Sequence, residues 1–369
     1  MMKFVGRIFR SVLIITALLV LTGGLALYYI PAVQDMVISR TINHTLTASH
    51  DELLADDALR VAVCGSGSPL ANSERRPACN LVFAAGKIFV VDAGAGSFAR
   101  VAQWRLPLDR MEAVFITHFH SDHIADLPEA RLQSWVNQRP APLAVYGGPG
   151  IERVVAGFSE AFALDDFYRI AHHGADFLKP EIAPMWPHEI ANADGTPLTG
   201  IQGKVVFEKD GLTVTAFAVD HAPVVPAYGY RFDYKGRSVV FSGDTHKTPG
   251  LALHAKGADV LLHEAMDKKI VALTYAAAAR AQNPIIQKIM ADIPDYHASP
   301  QDAAETAKEA GVAHLVLTHL IPPLPDWFGR RIFLRGTDVA GVKTRIAFDG
   351  MLIELPAESK VVKFGDLGH

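Results

Sequence analysis

Thr117-His118-Phe119-His120-Ser121-Asp122-His123 gathers four potential metal ligands into six residues. Extended chain puts alternate side chains on one face, so His118 and His120 reach one cation together. The turn that follows points Asp122 and His123 at a second cation beside the first. Two divalent cations that share a water lower its pKa enough to supply hydroxide near neutrality. Hydrolysis is the chemistry such a cluster serves.

Elements able to hold such a cluster recur from Leu59 onward. Short apolar runs (LRVAVC, NLVFAA, KIFVVDAG, EAVFITH, LAVYGG, VTAFAVD, AYGYRFDY, SVVFSGD, DVLLHE, HLVLTH and RIAFDGMLIEL) read as strands. Helices are expected around Ala95–Trp104, Leu127–Val136, Ile151–Phe162, Asn283–Met290 and Pro300–Ala310. Ser299-Pro300 supplies a cap and a first-turn proline for the last of them. Nearly every motif with chemical potential follows a strand directly, where a rigid sheet can hold a functional loop. Residues 163–200, rich in Pro and His, fit no regular pattern and read as an insertion over one face of the site.

Composition narrows the classes. Half of the 369 residues are hydrophobic and a fifth are charged, so a packed core is expected. Lys and Arg number 35 against 39 Asp and Glu, a formal charge of -4 that argues against a nucleic-acid binder relying on a basic face. The two cysteines, Cys64 and Cys79, make no CxxC pair, which excludes a thiolate zinc knuckle. They read first as small buried hydrophobes. A disulfide is the alternative if the domain lies outside the cytoplasm.

Residues 11–30, SVLIITALLVLTGGLALYYI, carry no charge and run the roughly 20 residues that a bilayer crossing needs. Lys3, Arg7 and Arg10 precede this stretch, which places residues 1–10 in the cytoplasm and the bulk of the chain across the membrane. Tyr28 and Tyr29 fall where an interfacial aromatic belt sits. A cleaved signal peptide competes, but its apolar region is normally shorter and no clean A-x-A site follows. The expectation is a single-pass anchor in the plasma (inner) membrane, with the domain outside the cytoplasm, periplasmic in a Gram-negative cell. Residues 31–58 read as a partly helical linker, 59–356 as the catalytic domain and 357–369 as a tail.

HxHxDH after a strand resembles the second motif of the metallo-β-lactamase superfamily, and further motifs follow the same order. Val91-Asp92-Ala93-Gly94 is similar to the first, whose Asp orients the metal loop. His221 in VDHAPVVPAYGYRF, Asp244 in FSGDT and His319 in LVLTHL are similar to the later ones. The resemblance spans about 59–356 and implies an αββα sandwich of two mixed sheets flanked by helices. It also implies a ligand set: His118, His120, His221 and Asp244 for one metal, and Asp122, His123, His319 and the shared Asp244 for the other. Imidazoles and carboxylates without thiolate suit two Zn²⁺, with Mn²⁺ or Fe as alternatives. Asp122 is able to orient the nucleophile, while Asp92 fixes a ligand histidine.

Within the superfamily, Tyr228-Gly229-Tyr230-Arg231, His263-Glu264-Ala265 and His297-Ala298-Ser299 resemble ribonuclease Z and its arylsulfatase-like relatives. The resemblance makes Glu264 and His297 a catalytic pair in which a carboxylate-oriented histidine protonates the leaving alkoxide; a structural hydrogen bond is the plainer reading. His263 is a further candidate to support the ligands from behind. Standard ribonuclease Z enzymes carry a long arm between YGYR and GDT that grips tRNA. Here only FDYKGRSVVFS separates Arg231 from Gly243, which disfavours tRNA and favours a small anionic ester, a phosphodiester or sulfate ester. Rival readings are a lactone, thioester or β-lactam hydrolase, or a non-catalytic scaffold. Ser66 and Ser68 in GSGS, and Thr245, are candidate substrate contacts, with a tight turn and a loop cap as the competing roles. Arg75 and Arg76 either bind an anion or face solvent, and His172-His173 reads as an ordinary loop pair.

Overall fold

A computed structural model describes residues 2–47 and 49–368. The chain divides into two units, Met1–Ser49 and His50–His369. The first holds α1 (Met2–Tyr29) and α2 (Pro31–Thr47). Within α1, Phe9–Tyr29 is long and apolar enough to cross a membrane by length and composition. Pro31 opens α2, where its missing N–H costs nothing.

The second unit is a sandwich. Its strands are β1 (Ala58–Gly65), β2 (Cys79–Ala84), β3 (Lys87–Ala93), β4 (Met111–Phe115), β5 (Leu143–Gly147), β6 (Met185–Glu189), β7 (Gly203–Lys209), β8 (Leu212–Ala218), β9 (Tyr228–Tyr234), β10 (Arg237–Phe241), β11 (Val260–Met266), β12 (His314–Ile321), β13 (Lys343–Ile346), β14 (Met351–Pro356) and β15 (Lys363–Asp366). One sheet runs β15-β14-β1-β2-β3-β4-β5-β6 and the other β13-β12-β11-β10-β9-β8-β7. Both mix parallel pairs, such as β3–β4 and β10–β11, with antiparallel ones, such as β1–β2 and β8–β9. The helices are α3 (Ser97–Gln103), α4 (Ser121–Ile124), α5 (Leu127–Val136), α6 (Ile151–His173), α7 (Pro249–His254), α8 (Lys268–Arg280), α9 (Pro284–Asp292), α10 (Pro300–Glu309) and α11 (Asp326–Phe333).

Three apolar layers hold this together. Val61, Phe89 and Phe115 of the first sheet meet Tyr230, Phe232 and Val316 of the second across the centre. Phe98, Val101, Leu127 and Ile151 cover the outside of the first sheet, and Ala303, Ala304 and Ala307 of α10 cover the second. Small residues let α10 lie close, and its start is fixed by a capping box in which Ser299 and Asp302 exchange hydrogen bonds. The expected αββα sandwich is the observed fold.

Several expectations need correction. The helix from Ile151 does not stop near Phe162 but continues to His173, and β6 follows, so 163–200 is not irregular throughout. The 357–369 tail contains β15, paired antiparallel with β14. Helix α8 was not anticipated: its Ala276–Ala279 run is rich in the best helix former but offers no apolar stripe to read. Cys64 and Cys79 are joined in a disulfide, not free hydrophobes. They lie at the ends of adjacent strands, Cα atoms 5.0 Å apart, a span that a disulfide bridges readily.

Candidate metal centre

The centre forms where strands of both sheets end. From β4 the chain runs extended through His118 to His120, whose Nδ1 lies 2.9 Å from His118 Nε2. The short helix α4 then carries Asp122 and His123 inward, both buried. Asp92, at the end of β3, holds this loop. It accepts from Thr117 N at 2.8 Å, Thr117 Oγ1 at 2.9 Å and His123 Nδ1 at 2.8 Å. With Nδ1 donating to Asp92, His123 Nε2 keeps its lone pair for the centre. Asp92 adopts φ +61, a left-handed conformation uncommon outside glycine, and such strain collects at functional sites.

The second sheet brings the remaining side chains from separate strand ends. His221 follows β8, and its Nδ1 donates to the Tyr296 carbonyl at 2.9 Å, which leaves Nε2 facing inward. Asp244 follows β10 through Gly243, whose φ of +62 and closeness to the Tyr228 carbonyl suit a residue without Cβ. His319 occupies a bulge: Glu264 pairs with Thr318 and Ala265 with Leu320, so His319 is the extra residue. The bulge re-aims its side chain, and Nε2 comes within 3.1 Å of Asp122 Oδ2.

Asp244 stands between both groups. Its Oδ2 is 3.5 Å from His123 Nε2, 3.4 Å from His319 Nε2 and 3.9 Å from His221 Nε2. Ligand atoms of His118, His120 and His221 lie within 4.8 Å of one another, as do those of Asp122, His123 and His319. His123 Nε2 and His221 Nε2 are buried without a hydrogen-bond partner, a costly state for a polar atom unless a cation takes the lone pair.

Electrostatics point the same way. Burial holds His118 well below the ordinary imidazole pKa, helped by charge on His123, and burial also lowers His120 and His221. All three therefore favour the neutral form that binds metal. At His123 burial opposes charge, but Asp244, Asp92 and Asp122 outweigh it and raise the pKa far above normal. Burial would raise Asp244, yet His319 and His123 pull it well below the carboxylate range. Asp122 is lowered in the same way, burial being outweighed by His123 and His319. Asp92, Asp122 and Asp244 thus gather negative charge around His123, where a cation is favoured.

Beside it, Glu264 Oε1 accepts from His297 Nδ1 at 3.0 Å, Ala298 N at 3.0 Å and Thr245 N at 3.1 Å. Burial opposes a charge on His297, but the Glu264 carboxylate outweighs it and raises the pKa. His297 also lines a cavity of about 350 Å³ together with His120, Asp122, Asp244 and His319.

Other candidates fall elsewhere. Ser66 accepts from Arg75 and bonds Asp349, so it supports a buried network instead of contacting substrate. Thr245 is fully buried, with its hydroxyl engaged by Asp220 and His246, and it ties two loops together. His263 points to the face opposite Glu264, as strand alternation dictates, and its Nδ1 donates to a backbone carbonyl; it touches no ligand side chain in the bonds described. Arg75 is buried against Asp326, while Arg76 is exposed. His172 and His173 end α6 in solvent. Ser68 alone of the substrate candidates lines the cavity, its buried hydroxyl without a partner. One contributor escaped the motif reading, Tyr296, one residue before His297, while Thr117 stood in the quoted motif without an assigned role.

Residues 87–320 match the model of the beta-lactamase superfamily domain. A ribonuclease Z of Mycobacterium marinum is 38% identical over 269 residues, which cover 72% of this chain and 88% of that protein. The chain belongs to the metallo-β-lactamase superfamily, in its ribonuclease Z-like branch. It is a metal-dependent hydrolase, and its His and Asp clusters are those of a divalent metal centre. The human short-form tRNase Z superposes with a TM-score of 0.56 at 21% identity, covering 80% of this chain and 99% of that one. The Bacillus subtilis protein YhfI gives 0.55 at 18% identity, covering 81% and 100%. At these identities the two structures share the fold.

Proposed function

We propose that the chain is a binuclear hydrolase of phosphodiester or sulfate-ester substrates, anchored by residues 11–30 with its catalytic domain outside the cytoplasm. The observation that carries the reading is the meeting of two ligand groups at Asp244, with the Glu264–His297 pair beside them. His118, His120 and His221 would hold one cation, Asp122, His123 and His319 the other, and Asp244 both. Zn²⁺ fits this nitrogen and oxygen set, as do Mn²⁺ and Fe. When bound, two such ions supply Lewis acidity and a water of lowered pKa.

The chain's own groups do the rest. Asp122, on the cavity wall, orients the attacking water by accepting its hydrogen bond. The water oxygen, its proton released to bulk solvent, attacks phosphorus or sulfur, and the ester bond to the leaving alcohol breaks. His297, held through Nδ1 by Glu264, donates its Nε2 proton to the departing alkoxide. Against the effect of its burial, the Glu264 carboxylate raises the pKa of His297.

Substrate choice divides two readings. The name of the curated relatives favours RNA. Against tRNA stands the β9–β10 connection, the two-residue turn Lys235-Gly236, where a gripping arm would have to emerge. A small anionic ester is the reading preferred. Metal-dependent turnover of bis(p-nitrophenyl) phosphate with none of nitrocefin supports it; the opposite pattern transfers the chain to the β-lactam rival.

The membrane reading rests on Lys3, Arg7 and Arg10 before an apolar helix and on a disulfide suited to an oxidising compartment. An alkaline phosphatase fused after residue 369 should be active. Activity only from a cytoplasmic reporter at that position reverses the topology.

A further inference from the structure

The cavity beside the ligand cluster is lined by two unlike kinds of group. Ligand candidates and His297 supply the polar lining, while Leu70, Ile289, Ile293, Tyr296 and Ile321 supply an apolar one. Leu70, Ile293, Tyr296 and Ile321 belong to one apolar cluster with Met266 and Val271, so that wall is packed from behind. No lysine or arginine lines the cavity among the described residues. A site built to follow a polynucleotide backbone needs such cations. At about 350 Å³ the space suits a small organic group, near the low end of ligand pockets, roughly 300–1,000 Å³. Ser68, nearly fully buried, lines the same cavity with an unpartnered hydroxyl.

We infer that the substrate carries an apolar alkyl or aryl arm, seated between Leu70, Ile289, Ile293 and Ile321, with its anionic head toward the ligand cluster. This rests on the hydrolase reading above and adds the class of ester it selects. The anionic head supplies the charge that the metals attract, and the arm supplies affinity by leaving water. Polar esters of the same head group lack the second contribution.

The test uses the metal-loaded full chain in lipid nanodiscs and titrates methyl-, butyl- and hexylphosphonate by calorimetry, beside turnover of bis(p-nitrophenyl) phosphate. Affinity should rise about fourfold per added methylene until the cavity is filled. Ile289→Gln combined with Leu70→Ser should flatten that series while the bound metal stays. Ile289→Leu should preserve the slope. A flat series in the wild type, with turnover intact, overturns the apolar arm and leaves the hydrolase reading standing. A rising series without turnover of the phosphodiester supports the apolar arm and removes the phosphodiester reading. A slope unchanged in the double variant overturns the assigned wall.

Discussion

The two sheets equip the centre in different ways. The first delivers His118, His120, Asp122 and His123 from a single loop, and Asp92 spends both carboxylate oxygens on holding it. The second delivers His221, Asp244 and His319 from three strand ends, tied by a backbone carbonyl, a glycine turn and a bulge. Its anchoring carboxylate, Glu264, uses one oxygen for three donors and leaves the other buried without a partner. The contrast separates two duties. The first sheet's loop is a locally fixed block of candidate ligands, whereas the second sheet closes the centre and also carries the Glu264–His297 pair proposed to handle the proton.

Substitutions can break that division. The largest effect belongs to Asp244→Ala, where the two ligand groups meet. It should abolish measurable hydrolysis, a greater loss than the roughly 10–100-fold typical of residues behind the ligands. Next comes His297→Ala, expected to cost about 10²–10⁴-fold with an alkyl alkoxide leaving group. The loss should shrink with p-nitrophenolate, which departs without a proton, and Glu264→Gln should repeat the trend more weakly. Equal losses for both leaving groups would assign His297 to substrate positioning. Asp92→Asn should weaken metal binding or turnover by about 10–100-fold with no dependence on leaving group. If it instead copies His297→Ala, the two sheets do not divide the work as argued. Cys79→Ser should leave turnover nearly intact but lower stability by about 3 kcal/mol, the amount a 15-residue loop closure gives. Unchanged unfolding in denaturant would remove the disulfide's role.

The same contrast explains what the sequence could reveal. The His118–His123 block is legible because its members are neighbours in the chain: the period of extended structure pairs His118 with His120, and the turn into α4 brings Asp122 and His123 in beside them. His221, Asp244 and His319 carry no local signature of proximity, and only the order of family motifs pointed to them. The positive φ of Asp92 and the bulge at His319 are properties of tertiary pairing, invisible in residue types. The apolar cavity wall was missed because Leu70, Ile289 and Ile321 come from three distant elements. The cysteine pairing was misjudged because spacing alone does not tell that β1 and β2 run side by side. Ser66 and Thr245 were candidate substrate contacts with a tight turn and a loop cap as the competing roles; their burial and bonds within the scaffold favour the competing roles.

The central claim is that both ligand groups share Asp244 and together hold two ions. Metal content per chain, measured by mass spectrometry on the purified full chain and on Asp244→Ala, tests it most directly. The account predicts two divalent ions in the wild type and fewer than one in the variant, with an unchanged circular dichroism spectrum. A folded Asp244→Ala protein that keeps the wild-type complement would contradict it.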